Sequence, residues 1–339
     1  MKKLAAGILL VALAVLAGAV GYGWHAVRTP WQGYEGEVVL DIPAGHGSRE
    51  IVDRLVELGV LEHRYPALVW LYLSAHWGRL QAGEYLFDEP LDVEGVFTRI
   101  AEGRVRLYTF TVPEGLRIDQ IADRWAESGF GDRDEFLAVA AAALPAVREI
   151  NPRAASVEGY LFPETYSFPR GTDARSAVGA MIRAFGQTIT RLRGEVPPSA
   201  WPLDLNDTLI LASLIESEVA VDGERELVAS VFLNRLDRRM RLECDPTVVY
   251  ALVQDGSYRG RLLRVDLDFD SPYNTYRYPN LPPGAISNPG YASLLAAIRP
   301  EETDYIFFVR TEGGRHAFSR TLEEHNAAVA EYRRLGSPP

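Results

Sequence analysis

The sequence predicts an α+β chain. It has one amino-terminal transmembrane helix, a small α+β subdomain built from a repeat, and a mixed α+β domain around a central buried helix. Three observations carry this reading. An uncharged apolar run extends from Leu4 to Trp24. A strand–turn–helix pattern that begins at Val39 returns seventy residues later. From Leu209 to Ile215 only Ser213 is polar, so a helix there is apolar on every side and belongs in a core.

Length and composition bound the function. At 339 residues the chain can hold two or three domains. A net charge of −11 and a pI near 5.2 argue against nucleic acid or an anionic membrane surface as the main partner. Cys244 is the only cysteine, which excludes an intrachain disulfide and a cysteine metal cluster. The scattered histidines show no ligand spacing, so neither metal nor cofactor is expected.

The apolar run, with Lys2 and Lys3 ahead of it, is ~32 Å long as a helix, enough to cross a bilayer core. The leading lysines keep the amino terminus cytoplasmic and send the rest of the chain outward. Residues 1–28 therefore read as a cytoplasmic tip and a single-pass anchor in the cytoplasmic (inner) membrane. The competing reading is a cleaved signal peptide, with Ala17-Gly18-Ala19 as the processing site. The run is longer than a signal-peptide core, which favours the anchor. No cysteine follows it, so a lipoprotein is excluded. Residues 29–35, with Pro30, Gly33 and Tyr34, form a linker.

Residues 36–155 hold the repeat. Val39-Leu-Asp-Ile-Pro-Ala-Gly45 is echoed by Thr109-Phe-Thr-Val-Pro-Glu-Gly115. Ile51 then matches Ile121, Asp53-Arg54 matches Asp123-Arg124, and Gly59 matches Gly129. Each copy reads as a strand, a Pro-x-Gly turn and an amphipathic helix closed by glycine. The pattern resembles LysM-type modules that grip cell-wall glycan, and a packing or spacer domain would show the same pattern. Between the copies, Arg64 to Leu80 reads as helix and Ala82 to Phe87 as strand. After them, Asp134 to Ile150 and Ala174 to Arg193 read as helices.

Residues 156–335 form the domain around the buried helix, Asp207 to Ala220, with Asp207 as its N-cap. Glu216 closes its apolar run. A poorly solvated carboxyl there would have its pKa raised, the property of a general acid near neutral pH. Ala212, Ser213 and Ala220 share its stripe and leave room for a ligand. Glu218 points about 200° away around the helix. The plainer reading is that Glu216 marks where a core helix surfaces. Glu224 to Leu236 makes a further helix with Val228, Val231 and Phe232 inward, and Asp245-Pro246 starts another. A long polar-aromatic loop region spans Tyr273 to Ile286. Strands Tyr305 to Arg310 and His316 to Ser319 precede a helix from Thr321.

Six segments in this order resemble the endolytic murein transglycosylases, the YceG-like proteins. They are Glu158-Gly-Tyr-Leu-Phe-Pro-Glu-Thr-Tyr166, Leu211-Ala-Ser-Leu-Ile-Glu-Ser-Glu218, Asp245-Pro-Thr-Val248, Tyr273-Asn-Thr-Tyr276, Leu281-Pro-Pro-Gly-Ala-Ile286 and His325-Asn326. The resemblance covers roughly residues 36 to 335. It implies an exported enzyme that cuts nascent peptidoglycan strands, with a LysM-like subdomain and one essential glutamate that falls on Glu216. Its motifs offer Glu164, Tyr166, Ser213, Tyr273, Asn274 and Thr275 as substrate-binding positions. The chain departs from the family at Glu243-Cys244, where Gln-Thr is usual.

A single acid suits a lytic transglycosylase. Glu216 would protonate the leaving oxygen of the MurNAc-β-1,4-GlcNAc bond, then accept the C6 hydroxyl proton as the 1,6-anhydro ring closes. Glycan strands, the membrane and peptidoglycan synthases are the implied partners. A muramidase would need a second carboxylate such as Asp245 about 5 to 9.5 Å away. A non-catalytic wall-binding scaffold would need no buried acid.

Overall fold

The structure, a computed structural model, describes residues 2–219, 221 and 223–334. Ala220, the last of the small residues expected beside Glu216, and residue 335, the expected end of the second domain, lie outside the described residues. The chain folds as two units, one made of residues up to Tyr108 with Ser167–Arg170, the other of Thr109–Tyr166 and everything from Gly171.

In the first unit, α1 (Lys2–Arg28) contains the stretch Ala6–Arg28, with mean hydropathy 2.1. It is long and apolar enough to cross a membrane, a test a signal sequence also passes. β1 (Val38–Ile42) points Leu40 and Ile42 inward on alternate positions. α2 (Ser48–Glu57) lays Ile51, Val52 and Leu55 over them, the face its helical period dictates. α3 (Arg64–Leu73) adds Ala67 and Leu71. β2 (Gly83–Phe87) pairs antiparallel with β1, Val38 opposite Phe87 and Ile42 opposite Gly83. α4 (Val93–Ala101) is capped by Asp92, which accepts from the Gly95 N–H at 2.8 Å, and closes the core with Phe97 and Ile100. Gly59 is required where it stands: its φ is +72°, and a Cβ would lie 2.7 Å from the Gly33 carbonyl oxygen.

The helix expected to reach Leu80 stops at Leu73. Ser74 turns extended and its hydroxyl caps the end by donating to the Leu71 carbonyl at 2.8 Å. A local side-chain bond thus outcompetes continued helix, as serine commonly does.

β3 (Leu107–Thr111) and β4 (Thr165–Pro169) form a second two-stranded sheet. α5 (Ile118–Glu127) follows β3 as α2 follows β1. Both helices are closed by a left-handed glycine, Gly59 and Gly129, each at φ +72°. α6 (Arg133–Ala142) packs on α5 around Trp125, whose ring lies 5.4 Å from Phe110 and 5.6 Å from Phe136. The single helix expected over Asp134–Ile150 breaks at Ala143, and α7 (Leu144–Ile150) restarts with Pro145 in its first turn. Proline has no N–H to continue the ladder, so the helix must begin again there.

α8 (Ala174–Glu195) and α9 (Leu205–Glu218) come next. The N-cap of α9 is Asp204, which accepts from the Asp207 N–H at 3.1 Å, so the helix starts one turn earlier than Asp207 suggests. Leu209, Ile210, Leu211, Leu214 and Ile215 are all buried. At about 1.5–3 kcal/mol each, their burial outweighs a cap worth roughly 1 kcal/mol. Packing therefore fixes where the helix lies. α10 (Arg225–Asp237) buries Val228, Val231 and Phe232 as expected. α11 (Asp245–Asp255) has Cys244 at its N-cap, so Asp245 is its first helical residue and Pro246 its second. α12 (Tyr291–Ile298) packs against α9. β5 (Phe307–Arg310) and β6 (His316–Ser319) pair antiparallel, and α13 (Leu322–Arg334) follows.

Candidate active site

Glu216 stands in the last turn of α9, its side chain only 6% exposed. Two groups distant in sequence meet its carboxyl. Oε2 accepts from the Gly290 N–H at 2.9 Å, and the Arg225 guanidinium lies 3.8 Å from Oε1. Gly290 is the N-cap of α12, so the positive end of that helix dipole faces the same carboxyl. Arg225 also donates through Nε to Ser293 Oγ at 3.2 Å, which steadies it against α12.

The carboxyl opens into a cavity of about 520 Å³ whose walls include Glu114, Arg117, Ser217, Asp245, Tyr250 and Tyr258. Gly115 forms part of the wall, and a Cβ there would touch Glu216 Cγ at 3.5 Å. Glu114 lies over Gly290, where a Cβ would collide with the Glu114 carboxyl. A neighbouring cavity of about 600 Å³ shares Tyr250 as a wall. The Tyr250 ring is backed by Tyr273, 4.9 Å between centroids.

Asn288 holds the walls together. Its backbone pairs with Gly115 N and Leu116 O, its Oδ1 accepts from Leu161 N at 2.8 Å, and its Nδ2 donates to Leu116 O and Glu158 Oε1. Glu158 in turn accepts from the Ile118 N–H at the start of α5. Burial pushes the Glu158 carboxyl up to about 8, against the pull of the Ile118 N–H, Arg117 and Asn288. Glu218 faces elsewhere, beside the Cys244 thiol. Burial lifts it to about 7, with Asp245 adding to the rise, and the same burial pushes the thiol up.

The substrate-binding positions expected from the sequence divide. Ser213 is fully buried: its hydroxyl donates to Ile210 O and accepts from Ile286 N, and its carbonyl accepts from Ser287 Oγ. The small residue Ser213 therefore makes room for the chain's own 286–287 segment instead of a ligand. Asn274 donates to Leu267 O and Phe269 O and accepts from Tyr276 N. Thr275 Oγ1 accepts from Cys244 N and pairs with Thr247. These buried polar groups are occupied inside the protein, where they shape the loop. Tyr166 is buried, with its hydroxyl on Phe162 O at 2.5 Å, and Glu164 is exposed. Tyr273 supports the cavity through Tyr250. Asp245 accepts from the Tyr276 hydroxyl at 2.6 Å and still reaches the cavity wall. At the unusual Glu243-Cys244 pair, Glu243 accepts from Arg235 at 3.1 Å and Cys244 stands at the N-cap position of α11 with no side-chain cap bond.

Sequence reasoning missed Glu114, Arg225, Tyr250, Asn288 and Gly290. One signal was present for Glu114, since the repeat's first copy has Ala44 at the matching turn position. The Asn288-Pro289-Gly290 run was another, as such runs mark turns. Arg225→Gln is expected to lower turnover about 10²-fold by letting the Glu216 carboxyl drift. Steady-state kinetics beside an unchanged unfolding midpoint would check it; an unaltered rate would remove Arg225 from the site.

Known proteins resemble this chain in sequence, and one solved structure resembles it in fold. A protein of Bacillus subtilis (strain 168) named "Endolytic murein transglycosylase" is 30% identical over 333 residues, 94% of this chain and 91% of that one. A protein of Streptococcus pneumoniae (strain D39) with the same name is 29% identical, matching 95% of this chain and 64% of its own. The crystal structure of a YceG-like protein from Listeria monocytogenes aligns with a TM-score of 0.59 at 31% identity, over 87% of this chain and all of that one. The YceG-like family matches residues 40–331, nearly the whole chain beyond α1, and the chain belongs to that family.

Proposed function

We propose that this chain is a membrane-anchored lytic transglycosylase that cuts peptidoglycan within nascent strands, with Glu216 as its acid. The observation that carries this reading is a nearly buried carboxyl opening into a cavity, gripped by the Gly290 N–H and faced by Arg225. The family and the printed names of its relatives supply the substrate class.

The geometry suits the two halves of the reaction. Glu216 first gives its proton to the glycosidic oxygen as positive charge develops at C1 of MurNAc. The resulting carboxylate is then stabilised by Gly290 and Arg225. It next takes the proton from the C6 hydroxyl as that oxygen closes onto C1. The bond to GlcNAc breaks, the C6–O–C1 bond forms, and no water is consumed. Glu114 and Asp245 line the same cavity and are the groups a hydrolytic route would recruit.

Two neighbouring cavities that share Tyr250 as a wall support cleavage inside strands, because space beyond the site would admit chain on both sides of the bond. A time course of glycan digestion by the purified full chain checks this. Mixed fragment lengths are expected from the first minutes; disaccharides from the outset would contradict it. α1 supports anchorage in the cytoplasmic membrane with the remaining chain outside, where the wall and its synthases lie. Amino-terminal sequencing of the mature protein should begin at Met1, and a terminus near Val20 would overturn the anchor.

A further inference from the structure

We propose that the outward face of α3 beds into the interface of the bilayer that α1 crosses, so that the first unit docks on lipid through a second element. The inference rests on the anchored reading of α1. α3 is apolar on both sides. Ala67 and Leu71 enter the core, while Tyr65, Val69, Tyr72 and Leu73 stand 74%, 59%, 68% and 77% exposed. Their spacing is i, i+4, i+7 and i+8, a continuous stripe on one face. No charged residue lies between Tyr65 and Leu73, whereas a helix facing water would carry several there. Such a contiguous exposed apolar stripe marks a contact surface.

Its position names the occupant. The stripe adjoins the end of α1: Val20, Trp24 and Val27 share a groove of about 890 Å³ with Tyr65, Val69 and Leu73. Tyr22 and His63, one on α1 and one just before α3, are hydrogen-bonded at 2.8 Å. About 20 residues of helix cross the hydrocarbon, so a span that starts at Ala6 ends close to His25. The groove therefore lies at the outer edge of the membrane. Tyr22, Trp24, Tyr65 and Tyr72 are the amphipathic rings that settle at such an edge, with Val69 and Leu73 reaching toward the acyl chains. The surface is continuous with the span itself, which favours lipid over a second protein.

The test uses the full chain in phosphatidylethanolamine–phosphatidylglycerol nanodiscs. A bimane label is placed at Leu73→Cys, at Val15→Cys in the span, or at Val39→Cys on β1. The Leu73 label should be quenched by shallow nitroxide lipids, shift its emission to the blue and lose quenching by aqueous iodide. The Val39 label should do the reverse. Iodide quenching at Leu73 equal to that at Val39, with Val15 still quenched by lipid, would overturn the proposal and leave the anchor standing. A Leu73 label reached by neither quencher would mean that protein covers the face, and would also overturn it. Loss of lipid quenching at Val15 as well would bring down the anchored reading and this inference together.

Discussion

Glu216→Gln is expected to reduce glycan cleavage by about 10²–10⁴-fold, the cost of losing general acid help, while the fold survives. Glutamine keeps an oxygen to accept the Gly290 N–H, so the hydrogen bond at 2.9 Å has a replacement. What it cannot do is deliver a proton to a leaving oxygen or take one from a C6 hydroxyl. The unfolding midpoint and circular dichroism should stay near those of the unaltered protein. Glu218→Gln is the matched control, because Glu218 sits beside Cys244 and outside the cavity walls. It should keep most of its activity. If Glu218→Gln were the silent enzyme and Glu216→Gln the active one, the choice of acid would be wrong.

The second large effect is on stability against pH. The Glu158 carboxyl is pushed up to about 8, and its unfolded value is near 4.5. Between those values the folded chain holds a proton that the unfolded chain has released. Stability from this group therefore falls as pH rises from about 4.5 to about 8, by up to about 1.4 kcal/mol per pH unit, then levels off. Glu218, lifted to about 7, adds a second fall that ends about one unit lower. Glu158→Gln mimics the neutral acid: its oxygen can accept from Ile118 and Asn288 at any pH. Urea midpoints from pH 5 to 8.5 should thus drop less steeply in this variant, and the two proteins should differ most above pH 8. Identical pH profiles would show that Glu158 is not held neutral. The link to function runs through Asn288, which ties Glu158 to the Gly115–Leu116 wall of the cavity.

What could be read from the sequence follows how local the cause is. The central helix was legible because five buried Leu and Ile residues outvote any cap. The repeat was legible because Gly59 and Gly129 must stand at positive φ in both copies. Helix ends were less so. Asp204 holds the cap expected at Asp207, and α11 has its N-cap position at Cys244, just before the expected Asp245-Pro246 start, each a short shift that periodicity does not resolve. The groups that meet the Glu216 carboxyl left only faint signals, a glutamate in the second turn of the repeat and the Asn288-Pro289-Gly290 run. Gly290 lies 74 residues away and acts through its backbone, which no side-chain pattern announces. Asn274, Thr275 and Ser213 looked like ligands for substrate because their residue types suit it. Burial turned their hydrogen bonds inward.

The most direct measurement is mass analysis of the muramic ends left when the purified full chain digests intact glycan strands. If Glu216 acts as the only acid and no water is activated, each cut leaves a 1,6-anhydro-MurNAc end, lighter by one water and without a reducing terminus. Those ends should vanish with Glu216→Gln and persist with Glu218→Gln. Reducing MurNAc ends would contradict the account, because water would then be the nucleophile and Glu114 or Asp245 its activator.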